Sequence, residues 1–575
     1  MNKILKNSWA LFTGMGLIML AHGYQGSLLG VRAVQENFSL TATGFMLSGY
    51  YVGYFIGAKT IPGFILRVGH IRVFAAFASI ASIVILMHSI FINPITWFIL
   101  RIITGISMVS LYTIAESWLN DRSSNKNRGS VLSIYMVIQF GAMALGMFFL
   151  NFSSPKNFQP FILVSLFMSL SLIPILLTKR KAPNFKKISE MSLKDLYKAS
   201  PLGMVGSLLY GTTQSALFSL LAVYAASMNF TIFEISLVTF LLAISGAIAQ
   251  WPIGKISDNF DRRKVITYTT FGSAFFAICS IFSAGQMYLP GDLATTKIWF
   301  YLFLILFSFC SLPMFAIIFA HTNDFIPKEK FVSAGAGLQF AFGLGAISGP
   351  FLCASFMNIV GPNGYFIFLM FFHSLIGLFG IYRMKVRDVK ENPDSQFTPM
   401  PQTITPLGLE LNPSAEHIDE PYSDKVLNML KRKGVKLELR DPMGFANKLV
   451  ILILSILTGL FISFLILVLS GVSGSALWKE FVVYIVTSEK NLSSVLVQAS
   501  PFVVAGLAAA VAFRARFWNI GIEGQMIFGS IAATYIAIND VGPEPTRLLL
   551  MFIAAGFGGV FWILLPAYLK IKFPK

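Results

Sequence analysis

The chain has 575 residues, 55% of them hydrophobic and only 12% charged, with a mean hydropathy of +0.71. A soluble domain carries about a quarter charged residues, so this composition excludes an ordinary soluble enzyme and indicates a membrane protein. The net charge of +18 does not indicate a nucleic-acid partner, because Lys and Arg sit in short loops between apolar runs, where they set orientation.

A membrane-crossing helix needs about 20 apolar residues. On that criterion spans fall near 9–30, 44–66, 71–92, 95–117, 129–151, 159–178, 201–226, 233–256, 263–286, 297–320, 331–356 and 363–383. The basic start, Met1 to Lys6, runs into the first span without a small-residue cleavage site and reads as part of a retained helix. Glycines and prolines inside the spans, such as Gly141, Gly146, Gly349 and Pro350, suit close helix contacts and kinks. Lys and Arg crowd the loops 67–72, 118–129, 179–198, 255–264 and 321–330, whereas the opposite loops carry Arg32, Lys156 and Lys297. That imbalance predicts cytoplasmic ends for this block, with the basic loop at 179–198 joining two halves, 1–178 and 201–383.

The halves repeat. An offset of 192 residues (259 − 67) sets the charged loop at Arg67, Gly69 and Arg72 beside the one at Gly254, Asp258, Asn259, Asp261, Arg262, Arg263 and Lys264. Each loop follows the second span of its half, as an internal repeat requires. A carboxylate among guanidinium groups can form ion pairs between helix ends and so hold one end of a bundle shut; a loop that only fixes orientation is the alternative, above all for Arg67 and Arg72.

These residues resemble the loop signature of major facilitator superfamily transporters, with Asn259 and Asp261 as departures and Leu66 in place of the first acid. Glu116 to Gly129 (with Asn120, Asp121, Arg122 and Arg128) and His321-Thr-Asn-Asp324 are similar to the YcaD-like branch of that superfamily, over about 1–413. The resemblance implies an all-α membrane protein with a twelve-helix fold of two six-helix repeats that rock about a midplane site. It implies secondary transport of a small solute across a bacterial inner membrane, with the N-terminus cytoplasmic.

Polar groups inside spans are costly and mark candidate pathways. His22 and Gln25 share a face of the first span, and the repeat offset carries His22 onto Gln214 of the seventh. These are candidate solute contacts, or else interhelical hydrogen bonds. Arg101 and Gly105 resemble the superfamily's Arg-x-x-x-Gly feature, linked there to proton coupling; Arg101 could instead reach the interface. Glu116 is read as a proton carrier or as the acid that anchors Arg67 or Arg72. Gln139, Gln250, Gln339 and His321 are further cavity or gate candidates, whereas His88 and His373 read as structural. No Asp or Glu stands mid-span in the first, seventh or tenth segment, which weighs against a simple carboxylate proton carrier there. It leaves His22, which titrates near neutral pH, as one candidate for a coupling proton beside Glu116.

From 384 to 446 Pro, Ser, Asp, Glu and Gln replace the apolar runs, which predicts a cytoplasmic linker disordered over most of its length, although the superfamily resemblance runs to about 413 and includes the tail Met400-Pro-Gln-Thr-Ile-Thr-Pro406. Apolar runs return over 447–575, near 446–470, 495–513, 517–539 and 546–569. There the stretch from Ser500 to Gln525, with Asn519, Gly521, Glu523, Gly524 and Gln525, resembles the membrane subunit of ATP-driven (ABC) importers for nucleosides or sugars. The segment 429–575 is expected to be an incomplete permease joined to a transporter; a genuine two-part transporter is the rival reading. No phosphate-binding Gly-x-x-x-x-Gly-Lys-Ser/Thr loop occurs, so ATP hydrolysis would require a separate ATPase partner, and only if the permease part functions. The three cysteines lie in apolar runs and, with no metal-ligand cluster or catalytic triad, predict neither cofactor nor enzymatic chemistry. The partners expected are the lipid bilayer and a solute, with a coupling proton. An importer subunit or a transport-incompetent membrane sensor are the alternatives.

Overall fold

Several helices in this chain start where first-turn amides find a side-chain acceptor. Ser39 accepts from the Ala42 amide and Ser200 from the Gly203 amide, while Thr231 and Glu234 form a reciprocal capping box. The computed structural model describes residues 2–121, 123, 127–176, 191–284, 293–387, 396–401 and 403–413. Further on it describes 450, 453–454, 457–458, 460–461, 464, 467–468, 472–484, 491, 493–495 and 522–572. Every regular element among these residues is a helix.

Two compact units emerge, Met1–Lys436 and Leu437–Lys575. In the first, α1 (Asn2–Gln35), α2 (Leu40–Val68), α3 (His70–Ile90), α4 (Pro94–Asp121), α5 (Arg128–Phe148), α6 (Gln159–Leu170) and α7 (Leu172–Leu176) precede a short α8 (Leu193–Ala199). Then come α9 (Pro201–Ser227), α10 (Ile232–Asn259), α11 (Arg262–Ala284), α12 (Leu293–Ser311), α13 (Met314–Asn323), α14 (Phe331–Val360) and α15 (Gly364–Val386). Ten stretches of helix among the described residues, from His70–Ile90 to Gly364–Val386, are long and apolar enough to cross a membrane; α1 and α2 lie outside that set. The reversal between α2 and α3 is made by Gly69 at φ +87°, in the left-handed region that favours glycine.

Helix α1 packs on α5, α2 on α4 and α9 on α14, and α2 also meets α14, so the two halves are in contact. His88 and His373, expected to be structural, each bond the carbonyl four residues back, Val84 and Leu369, and His373 also meets Ser311 at 2.9 Å. Cys279, Cys310 and Cys353 are free thiols.

Within the stretch expected to be a linker disordered over most of its length, residues 396–401 and 403–413 are ordered: they pack into the first unit, with Met400, Ile404, Leu409 and Leu411 in its core and a 3₁₀ turn over Gly408–Leu411. Apolar side chains spaced between prolines bury enough surface to order a segment whose average composition is polar.

In the second unit, helices Ile522–Ile538 and Glu544–Lys572 pack together, and a Cβ on Gly558 would fall 2.5 Å from the Phe528 carbonyl oxygen. Of the importer-like signature, Asn519 and Gly521 lie outside the described residues. Glu523, Gly524 and Gln525 fall in the first turn of Ile522–Ile538.

Candidate functional site

A cavity of about 60 Å³ lies between the halves, walled by α1, α2, α4 and α5 on one side and by α9 and α10 on the other. Its position follows from a close helix crossing. A Cβ on Gly105 would lie 2.0 Å from the Tyr50 carbonyl oxygen, so only glycine lets α4 meet α2 there. That contact lays the Arg101 guanidinium over the Tyr50 ring, 4.7 Å from its centroid, a desolvated cation–π pair. The His22 ring of α1 sits 5.4 Å from the same ring. Tyr51 crosses to the second half, its hydroxyl 3.3 Å from both the Ser215 carbonyl oxygen and the Ser219 hydroxyl.

Among the described residues, Arg101 is the one charged side chain on the cavity wall. It is 5% exposed, and its Nε and Nη1 have no hydrogen-bond partner there; His22 Nδ1 has none either. Gln25 and Gln214 are buried off the wall, and Gln214 accepts a hydrogen bond from Tyr210 at 2.9 Å. The residue pattern pointed to His22 and Arg101 but not to Tyr50 and Tyr51. The clustering of Tyr50, Tyr51 and Tyr54 within one apolar run was the available signal.

At the end of the bundle that carries the basic loops, Arg262 is held by Asp258 at 2.8 Å, by Asp324 at 2.6 Å and by the Ala320 carbonyl at 2.9 Å. All three partners belong to the second half. Arg263 turns back onto Asp261, donating from its amide, Nε and Nη2. Burial pushes the Asp261 carboxyl up, but these Arg263 bonds outweigh burial and hold it below the ordinary carboxylate range. His321 is buried, its ring edge-on to Phe325. Arg67 and Arg72 are exposed and Gly69 forms the turn between them.

The expectation that Glu116 anchors Arg67 or Arg72 is not met. Glu116 is fully buried and points inward from α4, where it accepts from the Tyr135 hydroxyl at 3.1 Å and from the Thr405 amide at 2.9 Å. The Thr405 hydroxyl donates to the same carboxylate oxygen. Around it residues 396–401 and 403–413 run between the halves. Tyr54 of α2 donates to the Thr403 carbonyl at 2.7 Å and Asn120 of α4 to the Leu407 carbonyl. From the other half, Gln250 of α10 donates to the Met400 carbonyl at 3.4 Å, and Asp258 accepts from the Phe397 amide at 2.7 Å. Gln139 and Gln339 are buried on α5 and α14. Nothing in the sequence pattern joined Glu116 to a residue 289 positions away.

The sequence profile described as Major Facilitator Superfamily matches residues 11–291 and 203–575. A relative from Escherichia coli, described as an uncharacterized MFS-type transporter, YcaD, is 22% identical over 362 residues, covering 62% of this chain and 91% of its own length. Among solved structures, the nucleoside transporter NupG aligns with a TM-score of 0.56 at 13% identity, over 67% of this chain and 99% of its own. A bacterial homologue of the human lysosomal transporter Spinster, inward-facing and occupied, aligns with a TM-score of 0.51 at 14% identity, over 66% and 95%. At these identities the structural likeness concerns the fold.

Proposed function

The chain belongs to the Major Facilitator Superfamily, and from that premise we propose that residues 1–383 form a twelve-helix secondary transporter that moves a small solute by alternating access. In this reading 1–178 and 201–383 are the rocking halves, 384–446 joins them to residues 447–575, and the cavity between them is the solute site. No covalent bond of the solute changes. The crowding of Lys and Arg in one set of loops supports a cytoplasmic N-terminus in a bacterial inner membrane.

The observation that carries the reading furthest is Arg101, a buried cation without a hydrogen-bonded counter-charge among the described residues, on the wall between the halves. Such a charge is costly inside a membrane bundle unless something offsets it. A bound anion would do so, which favours a small organic anion over a neutral or cationic solute. His22, beside the same Tyr50 ring, is the candidate for a coupling proton. Gln25, Gln139, Gln214, Gln339 and His321 are buried polar groups that line the route or tie its helices. For 429–575 the permease-fragment reading rests on Ser500 to Gln525 alone, and an ATPase partner depends on it.

The test is uptake into proteoliposomes of a panel of small carboxylates, matched neutral compounds and amines, with Arg101→Ala beside the unsubstituted protein. Carboxylate flux that vanishes in R101A is expected. Flux of neutral compounds that is indifferent to R101A would overturn the anion reading, and ligand binding without any flux would favour the sensor.

A further inference from the structure

We propose that residues 396–401 and 403–413 are a tethered peptide ligand, seated in a binding site that spans both halves and closes the basic end of the bundle. The binding claim stands on the contacts alone; its consequence for opening rests on alternating access.

The site is shaped for a backbone. Three side chains, from Tyr54, Asn120 and Gln250, donate to carbonyls of the segment, and two carboxylates, Glu116 and Asp258, accept its amides at Thr405 and Phe397. Main-chain recognition of this kind is how proteins hold an extended peptide. Pro399, Pro401, Pro406 and Pro413 keep the free segment extended, which lowers the entropy lost on seating it. Two notches receive its apolar side chains. A Cβ on Gly254 would fall 2.2 Å from the Phe397 ring, and one on Gly335 would fall 2.6 Å from a Leu409 methyl. The segment is cut to fit in turn: a Cβ on Gly408 would fall 2.6 Å from the Glu116 carboxylate. Met400, Ile404 and Leu411 are at most 2% exposed.

Among the described residues, the ion pairs of Asp258, Asp261, Arg262, Arg263 and Asp324 join partners within the second half and do not fasten one half to the other at this end. The segment does: Glu116, Tyr54 and Asn120 belong to the first half, Gln250 and Asp258 to the second. Rocking the halves apart here pulls these anchors away from one another. The segment must therefore leave before the cavity opens to the cytoplasm.

The test uses a fluorescent synthetic peptide of residues 396–413 as probe. It is titrated into the full chain and into a full chain with Phe397, Met400, Ile404, Thr405, Leu409 and Leu411 all changed to Ser. The intact protein competes with its own segment at an effective concentration of about a millimolar, so binding to the substituted protein is expected to be roughly tenfold tighter or more. A peptide carrying Thr405→Pro, which lacks the amide that Glu116 receives, should bind neither. Equal binding to both proteins, or none to either, would overturn the proposal. If the substituted protein does not fold, hydrogen exchange on the unaltered chain decides. Slow exchange at Thr405 and Phe397 supports the seated segment, and exchange at the rate of a free chain sinks it. Neither readout involves transport, so failure of the transporter reading would show separately, as a seated segment without solute flux.

Discussion

Arg262 meets two carboxylates of unequal burial, and that inequality sets the cost of losing each. Asp324 is 2.6 Å from Nη1 with side-chain exposures of 3% and 8% across the pair, whereas Asp258 is 35% exposed. Removing one partner of a buried ion pair costs about 3–5 kcal/mol because the other charge is stranded. An exposed partner is screened and contributes about 0–1 kcal/mol. Asp324→Asn keeps the shape and one acceptor, and Asp258 still faces the cation, so a loss at the low end, about 3 kcal/mol, is expected. Asp258→Asn should cost roughly 1 kcal/mol by the exposed-pair rule. Reversible unfolding of the purified protein in mixed detergent and SDS, followed by circular dichroism, gives both values on one scale. A double variant, Arg262→Met with Asp324→Leu, should be milder than Asp324→Asn alone, since no charge is left unpaired at the buried position. Equal losses for the two Asn variants, or a larger one at Asp258, would refute the burial argument.

Other outcomes rest on single contacts. The folded-state pKa of Asp261 is depressed, so its stabilisation is fully present above the ordinary carboxylate pKa and disappears as pH falls through the lower folded value. The stability gap between the unsubstituted protein and Asp261→Asn should thus be constant from about pH 7 to 5 and shrink only below about 4, as thermal melts across that range would register. Gly105→Val forces α4 off α2 by more than about 1 Å, at roughly 1–3 kcal/mol, and should abolish solute flux by displacing Arg101 from Tyr50. Tyr365→Phe removes a 2.9 Å bond from α15 to the Leu217 carbonyl of α9 and should cost about 1 kcal/mol in the same unfolding assay. Lys297→Ala removes a partly exposed ion pair with Glu234 and should change stability by less than about 1 kcal/mol.

Much of the helical framework was legible because a membrane helix declares itself by length and apolarity. The span read at 71–92 is a helix over His70–Ile90, and that at 363–383 is one over Gly364–Val386. Arg101 stood out for the same reason: a guanidinium inside an apolar run has few explanations. Tyr50 and Tyr51 did not stand out, because tyrosine scores with the apolar residues while its hydroxyl performs the polar work, here the bridge from α2 to Ser219. The segment 396–413 was hidden by averaging. Its buried Met400, Ile404, Leu409 and Leu411 stand among prolines and polar residues in a segment too short and mixed to read as a span, and they are buried by elements far away in the chain. Glu116 was assigned to Arg67 or Arg72 because their loop lacks an acid of its own, and the sequence does not tell which way a helix face points.

If the halves alternate as proposed, the guanidinium of Arg101 on the wall between them would also make transport electrical. A fixed charge in a cavity that faces first one aqueous phase and then the other crosses part of the membrane field without moving far itself. One elementary charge traversing the whole field is worth about 2.3 kcal/mol per 100 mV. With the proposed anion seated on Arg101 the site would be neutral and its reorientation indifferent to voltage; with the site empty, the return stroke would be driven or opposed by the membrane potential. Under the proposed alternating access, the resting potential of the cell would act on the unloaded carrier alone and set how fast it returns for the next solute.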